Sequence, residues 1–316
     1  MAHPHFDDGL IVWSDAYSGR YEAPPAGYSG QFDLQWKIAL EGNPEYYNYP
    51  GASVDDGYIE DRVYEWTGIR NRKGHNDLSA GTRVLDHPID VKMIRGKKCI
   101  DIGCGMGRWT RTMQMIGAEQ VLSIDMSESA LNSVKRFNAH VLRADIMRLP
   151  EEHPELKEQY DFANFWGVAM CTHDPKKAFF SAASTVKPGG ALYLMVYSPE
   201  GMHNTNLVNI QRKHFHTLQT IQDRLAYVDH VYEREWDGEY PLLENIRNVM
   251  RWLIKSPKGG KIGVLDMLQP IFNWVIPLDV IYGWMGRAGF SKTVVLNEFE
   301  SAKCAYHVLG IKKQHV

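Results

Sequence analysis

The sequence predicts an α/β fold: a doubly wound, mostly parallel sheet of seven strands with helices on both faces, an N-terminal extension and one helical insertion. Three observations predict it. Short apolar runs alternate with helical segments across residues 97–198. A glycine-rich turn, Asp101-Ile-Gly103-Cys104-Gly105-Met-Gly107, joins the first run to the first of those helices. The alternation stops after residue 200 and resumes near residue 278.

Lys98 to Ile102 reads as the first strand of the sheet, and Arg108 to Ile116 as a helix stopped by Gly117. Gln120 to Ile124 is the second strand. Ser127 caps a helix running to about Asn138, with Glu128 in its favourable first turn. Val141 to Arg143 and Tyr160 to Phe165 are the third and fourth strands, followed by a helix over Pro175 to Val186. Lys187-Pro-Gly-Gly reads as a turn into the fifth strand, Ala191 to Val196. Late in the chain come a helix over Leu278 to Ala288 and strands over Lys292 to Asn297 and Ala305 to Ile311. Ahead of the sheet, Gln31 to Leu40 reads as a short helix. Asp55 to Ile69 reads as another, because Ile59, Val63 and Trp66 recur at helical spacing. The chain therefore divides into an extension (1–90) on the substrate or lid side, a core (91–200 and 276–316), and a helical insertion (201–275) between the fifth and sixth strands that serves as lid or interface.

Bulk properties narrow the partners. Hydrophobic residues make up 44% and charged residues 23% of the 316, as in an ordinary globular protein. A net charge of -3 lacks the basic excess of chains that live on nucleic-acid backbone, so no nucleic acid is expected as partner. The four cysteines form no C-x-x-C pair and fall in strand-like or loop segments, which suits a reducing, cytoplasmic setting. The first residues carry neither a basic nor an apolar leader pattern, and no apolar run reaches membrane-spanning length.

The glycines of the loop let the chain turn tightly and let a ligand approach the backbone, and the following helix offers free N–H groups. A dinucleotide fingerprint requires a third glycine where Arg108 stands, which weakens the nicotinamide or flavin reading. Asp101 leads the loop, placed to face a positively charged ligand group; the plain alternative is a strand-to-helix turn. Asp125 ends the second strand, where a carboxylate can accept two ribose hydroxyl hydrogen bonds. Asp145, after the third strand, is placed to meet an exocyclic amine, with a surface turn as the plain alternative.

As a set, these residues resemble the class I S-adenosyl-L-methionine (SAM)-dependent methyltransferases: the Asp-Ile-Gly-Cys-Gly-x-Gly loop, the acidic end of strand two, Ala144-Asp145, Tyr160-Asp-Phe162 and Lys187-Pro-Gly-Gly. The resemblance implies a Rossmann-like sheet and SAM as cofactor. Carried over by position, it implies Asp101, Gly103 and Gly105 against the methionine moiety, Asp125 at the ribose, Asp145 and Ile146 at the adenine, Cys104 and Met126 among the other cofactor-binding residues, and Trp166 beside cofactor and substrate. Phe32-x-x-Gln35-Trp36, Asp266 to Pro270 and Trp284-Met-Gly-Arg-Ala-Gly-Phe290 are similar to segments of bacterial small-molecule and sugar methyltransferases.

Methyl transfer needs alignment and, for some acceptors, a base. Candidates at the ends of strands four and five are His173, Tyr197 and His203; helix capping or packing is the plain alternative for each. His214 and His216 stand two apart without a ligand-spaced cluster, so no metal is expected. Trp36, Tyr46, Tyr47, Trp236 and Trp252 are candidate substrate-lining residues, with core packing or a homo-oligomer interface as the competing use. The expected function is methylation of a small molecule in biosynthesis. Rivals are an RNA, DNA or protein methyltransferase, a non-catalytic SAM-binding module, and a NAD-dependent oxidoreductase. The segment Trp166 to Pro175 lacks the Asn/Asp-Pro-Pro-Tyr pattern of amino-methylating nucleic-acid enzymes.

Overall fold

The computed structural model describes residues 11–12, 30–40, 56–69, 84–199, 206–233, 260–300 and 303–314. Their elements in chain order are β1 (Ile11–Val12), α1 (Gln31–Leu40), α2 (Asp56–Thr67), β2 (Lys98–Ile102), α3 (Arg108–Ile116), β3 (Gln120–Asp125), α4 (Glu128–Lys135), β4 (His140–Arg143), α5 (Leu149–Glu152), β5 (Tyr160–Trp166), α6 (Pro175–Thr185), β6 (Val186–Tyr197), α7 (Asn206–Thr217), α8 (Ile221–Glu233), α9 (Gly260–Leu268), β7 (Trp274–Val275), α10 (Leu278–Arg287), β8 (Phe290–Val295) and β9 (Ala305–Lys312).

Seven of these strands form one sheet in the order β4-β3-β2-β5-β6-β9-β8. The five strands from β4 to β6 are parallel, and β9 runs antiparallel between β6 and β8. The chain builds outward from β2 to β4 and then returns to place β5 on the other side of β2. That reversal opens a crevice between the carboxyl ends of β2 and β5, where ligands bind in open α/β sheets.

Strand periodicity explains why the central strands read as continuous apolar runs: both faces are covered. Cys99, Phe162 and Tyr193 point to one side, against Trp66 of α2 and Trp109 and Met113 of α3. Ile100, Ala163, Leu192 and Leu194 point to the other, against Phe179 of α6 and Ile281 and Trp284 of α10. Ile59, Val63 and Trp66 form the buried face of α2, as their spacing predicts. Ser127 caps α4 by accepting from the Ala130 N–H at 3.1 Å.

Two local expectations are revised. Lys187-Pro-Gly-Gly lies within β6 as an irregularity, because pairing jumps from Tyr160–Val186 to Phe162–Ala191. Gly189 takes φ +78° there, and a side chain on Gly190 would meet the Asp161 carbonyl oxygen at 2.8 Å, so the extra residues are absorbed by a bulge. Near its end, the segment that reads as helical contains β7, which pairs antiparallel with β1 through Ile11–Val275 and Val12–Trp274. Trp274 is fully buried and donates its indole N–H to the Thr172 carbonyl at 2.8 Å, so this small sheet is tied to the loop after β5. Among the described residues no helix is long and apolar enough to cross a membrane.

Candidate functional site

The crevice holds a cavity of about 370 Å³, within the range of small-molecule sites. Its floor is the glycine loop and the carboxyl ends of β2, β3 and β5; its walls include Trp109, Trp166 and Tyr197. Phe32, Gln35 and Trp36 of α1 line it from the N-terminal side, and Asp266 and Pro270 from the α9 side.

The loop is built as its glycines require. Gly103, Gly105 and Gly107 take φ of +70°, +51° and +90°, a region in which a β-carbon is strained. Crowding adds to this. A β-carbon on Gly103 would lie 2.3 Å from Val168 Cγ2, and one on Gly105 3.0 Å from the Trp36 ring. Gly103→Ala is therefore expected to cost roughly 1–3 kcal/mol in backbone strain alone, with the Val168 contact added. Thermal unfolding of the variant and its affinity for S-adenosylhomocysteine check this, and both should fall together.

Asp101 sits beneath the loop and does not line the cavity. It is fully buried, accepting from Thr110 Oγ1 at 2.6 Å and Asn164 Nδ2 at 2.7 Å. Burial pushes its carboxyl above the ordinary value, while the Thr110 and Asn164 hydrogen bonds pull it back down. Its local work is to lock α3 and β5 to the loop, which differs from the ligand-facing placement its acidity suggests.

Asp125 lines the cavity. It accepts from the Gly105 N–H at 2.9 Å on one oxygen and from the Ser127 N–H at 2.8 Å on the other. Each carboxylate oxygen has a further lone pair, so the group holds the loop and still has capacity for two hydroxyl donors. Burial raises its pKa to about 6, helped by nearby Asp101 and opposed by the two N–H groups.

Cys104, Met126, Ile146 and Trp166 also line the cavity. Asp145 does not: its carboxylate caps the turn after β4 by accepting from Met147 N–H at 2.8 Å, while Ala144 and Ile146 on either side reach the cavity. Of the candidate bases, Tyr197 is in the wall. His173 is not among the lining residues, and its ring lies 6.4 Å from that of Phe272. His203, Tyr46, Tyr47, Trp236 and Trp252 lie outside the described residues. His214 packs on the Tyr227 ring, and burial with nearby Arg224 and Arg212 lowers the His216 pKa to about 4. Among the described residues no group of three or more His, Cys, Asp or Glu side chains could hold a metal.

Several lining residues have no motif with a mechanism attached. Arg108 lies over the Trp166 and Trp109 rings at 4.4 and 4.9 Å. The residue that displaces the third fingerprint glycine thus becomes part of the cavity wall. The contacts that dock helix α1 include Asp33, which accepts from Ser127 Oγ at 2.7 Å and from the Ser129 N–H at 3.2 Å, Trp36, which abuts Gly105, and Gln35, which donates to Asp266 at 3.0 Å. The segments Phe32-x-x-Gln35-Trp36 and Asp266 to Pro270 each stand out in the sequence, but nothing there pairs them, because Gln35 and Asp266 are 231 residues apart.

A seven-stranded sheet of this order, a glycine loop after β2 and a carboxylate ending β3 define the class I SAM-dependent methyltransferase fold, whose cofactor is SAM. Residues 83–236 match the family described as a methyltransferase domain. Relatives include a tRNA U34 carboxymethyltransferase of Pseudoalteromonas translucida, 31% identical over 137 residues, covering 41% of this chain and 40% of the relative. A ubiquinone biosynthesis O-methyltransferase of Acinetobacter baylyi is 34% identical over 105 residues, covering 32% and 43%. The chain thus spans less than half the length of these two relatives. Among solved structures, a SAM-dependent methyltransferase of Mesorhizobium loti is similar with a TM-score of 0.42 at 16% identity, covering 70% of this chain and 93% of that one.

Proposed function

We propose that this protein transfers the sulfonium methyl of SAM to a small-molecule acceptor in a cytoplasmic biosynthetic step. The observation that carries the reading is one continuous cavity, lined by the glycine loop and Asp125 and also by Trp36, Trp166, Tyr197 and Asp266. Gly103, Cys104 and Gly105 would lie along the methionine part of SAM. Asp125 would accept from the ribose hydroxyls, and Met126 and Ile146 would flank the adenine with Asp145 at its edge. SAM, when bound, supplies an electrophilic methyl group. The chain's part is to hold an acceptor in line with that methyl and exclude water. The aromatic side chains of α1 and of the β5 and β6 ends do this from opposite sides of the cavity. Tyr197 lines the cavity and His173 does not, which makes Tyr197 the better-placed of the two candidate bases that the structure describes.

A second reading, a tRNA acceptor, is favoured by the carboxymethyltransferase relatives, one of which from Pseudomonas paraeruginosa matches over 204 residues at 31% identity. The net charge of -3 weighs against it. One experiment separates the readings. Calorimetry with S-adenosylhomocysteine and with NAD comes first, followed by transfer of radiolabelled methyl from SAM to a small-molecule panel and to bulk tRNA. We expect S-adenosylhomocysteine but not NAD to bind, with label in the small-molecule fraction. Failure of S-adenosylhomocysteine to bind overturns the cofactor assignment, and label in tRNA moves the acceptor to the second reading.

A further inference from the structure

The acceptor end of the cavity contains a carboxylate and an amide that neither the glycine loop nor the ribose carboxylate uses. Asp266 of α9 lines the cavity. Gln35 of α1 donates to one carboxylate oxygen at 3.0 Å. Arg212 of α7, only 1% exposed, fixes the adjacent backbone by donating from Nε and Nη2 to the Met267 carbonyl at 3.2 and 2.8 Å. The loop after β5 brings Cys171 and Thr172 into the same cavity wall. Gln35 is itself 1% exposed, and its carbonyl oxygen has no hydrogen-bond partner among the described residues. An unpaired buried carbonyl costs about 1–3 kcal/mol, so Gln35 is held in place for its contact with Asp266 at some expense. The Asp266 carboxylate is the charged acceptor at this end, among the side chains of Trp36, Cys171, Thr172 and Pro270.

We propose that Asp266, seated by Gln35, recognises the acceptor substrate by taking the hydrogen of its O–H or N–H group, which makes the substrate a protic small molecule with an aromatic or apolar body. This rests on the methyltransferase reading of the same cavity. During transfer the acceptor oxygen or nitrogen forms its bond to the methyl carbon. The S–CH3 bond breaks with its electron pair returning to sulfur, and the acceptor's proton passes to an Asp266 carboxylate oxygen. Burial holds the Asp266 carboxyl above the ordinary carboxylate value, opposed by the Gln35 hydrogen bond and by the charges of Arg108 and Arg212, which suits it to receiving a proton. Cys171, buried beside it, is itself pushed up to about 12 and stays a neutral thiol near neutral pH.

The test uses phenol, aniline and toluene as matched probes, titrated by ligand-observed NMR into the full chain saturated with S-adenosylhomocysteine. A hydrogen bond to a charged acceptor corresponds to about ten- to hundredfold in affinity, so phenol or aniline should bind at least about tenfold more tightly than toluene. In Asp266→Asn, the amide oxygen keeps the Gln35 hydrogen bond and the amide N–H₂ turns to the cavity. The preference should then fall to within about threefold, with S-adenosylhomocysteine affinity unchanged. Equal binding of the three probes to the wild-type chain, or a preference that survives in Asp266→Asn, overturns the proposal. Failure of S-adenosylhomocysteine to bind the wild-type chain would instead strike the methyltransferase reading. Should the variant not fold, a structure of the wild-type chain soaked with phenol decides: the phenol oxygen within hydrogen-bond reach of Asp266 supports the assignment, and any other position refutes it.

Discussion

Asp125→Ala is expected to weaken S-adenosylhomocysteine binding by about 1–3 kcal/mol, roughly five- to over a hundredfold, through loss of the ribose acceptor. The variant also strips partners from the Gly105 and Ser127 N–H groups, so Asp125→Asn is the cleaner companion. The wild-type chain should show a matching pH dependence. The ionised carboxylate would accept from both ribose hydroxyls, whereas the protonated form turns one oxygen into a donor, and burial holds the Asp125 pKa near 6 against an ordinary 3.8. Affinity should therefore rise as pH climbs through about 6 and level off above it. At one unit below that pKa about one molecule in eleven is ionised, an apparent loss of about tenfold. Stability of the unliganded chain carries the opposite sign. Between 3.8 and about 6 the folded state holds a proton that the unfolded state has released, so this group's contribution is full below the lower value and lost as pH rises through the upper one. Calorimetry at several pH values checks the binding arm. A flat profile, or an Asn variant retaining the wild-type slope, would show that Asp125 does not accept from the ribose.

The cofactor side of the cavity was legible in the sequence because its chemistry is local. Gly103, Gly105 and Gly107 turn the chain within five residues, and Asp125 follows at the end of the next strand, so loop and carboxylate can be read from one short stretch. The same locality says less about Asp101 and Asp145. Nothing in a strand's sequence says whether a carboxylate rises into a crevice or drops beneath it, and Thr110 and Asn164, which claim Asp101, lie on neighbouring elements. His173 looked well placed because it follows β5 closely. Behind the turn over 169–171, Cys171 and Thr172 stay in the cavity wall while His173 is not among the lining residues. The pairing of Gln35 with Asp266 was not legible, because the two segments come together only when α1 and α9 pack. The pairing of β1 with β7 was hidden for the same reason.

The largest stability effect should come from beneath the site. Trp66 of α2 is fully buried, stacks on Trp109 at 4.6 Å with 10° between planes, and meets Tyr193 edge-on at 5.1 Å. Its backbone carbonyl also accepts the Ile89 N–H at 2.6 Å. Truncating a large buried aromatic costs about 3–5 kcal/mol, because the transfer energy is lost and the neighbours only partly refill the space. The neighbours here are poorly able to refill it. Trp109 is held from its other side by Arg108 and Trp166, and Tyr193 by a hydrogen bond to His307 at 2.6 Å. Trp66→Ala should therefore lie near the upper end of that range in urea unfolding, and Trp66→Phe, which keeps a ring on Trp109, well below it. Trp109 also lines the cavity, so the Ala variant should lose S-adenosylhomocysteine affinity as well, by mobility of a wall residue 43 positions along the chain. A small stability loss with affinity intact would mean that the stack is incidental. A large loss in both would make α2, which touches none of the proposed ligand positions, the element that keeps the cavity wall in place.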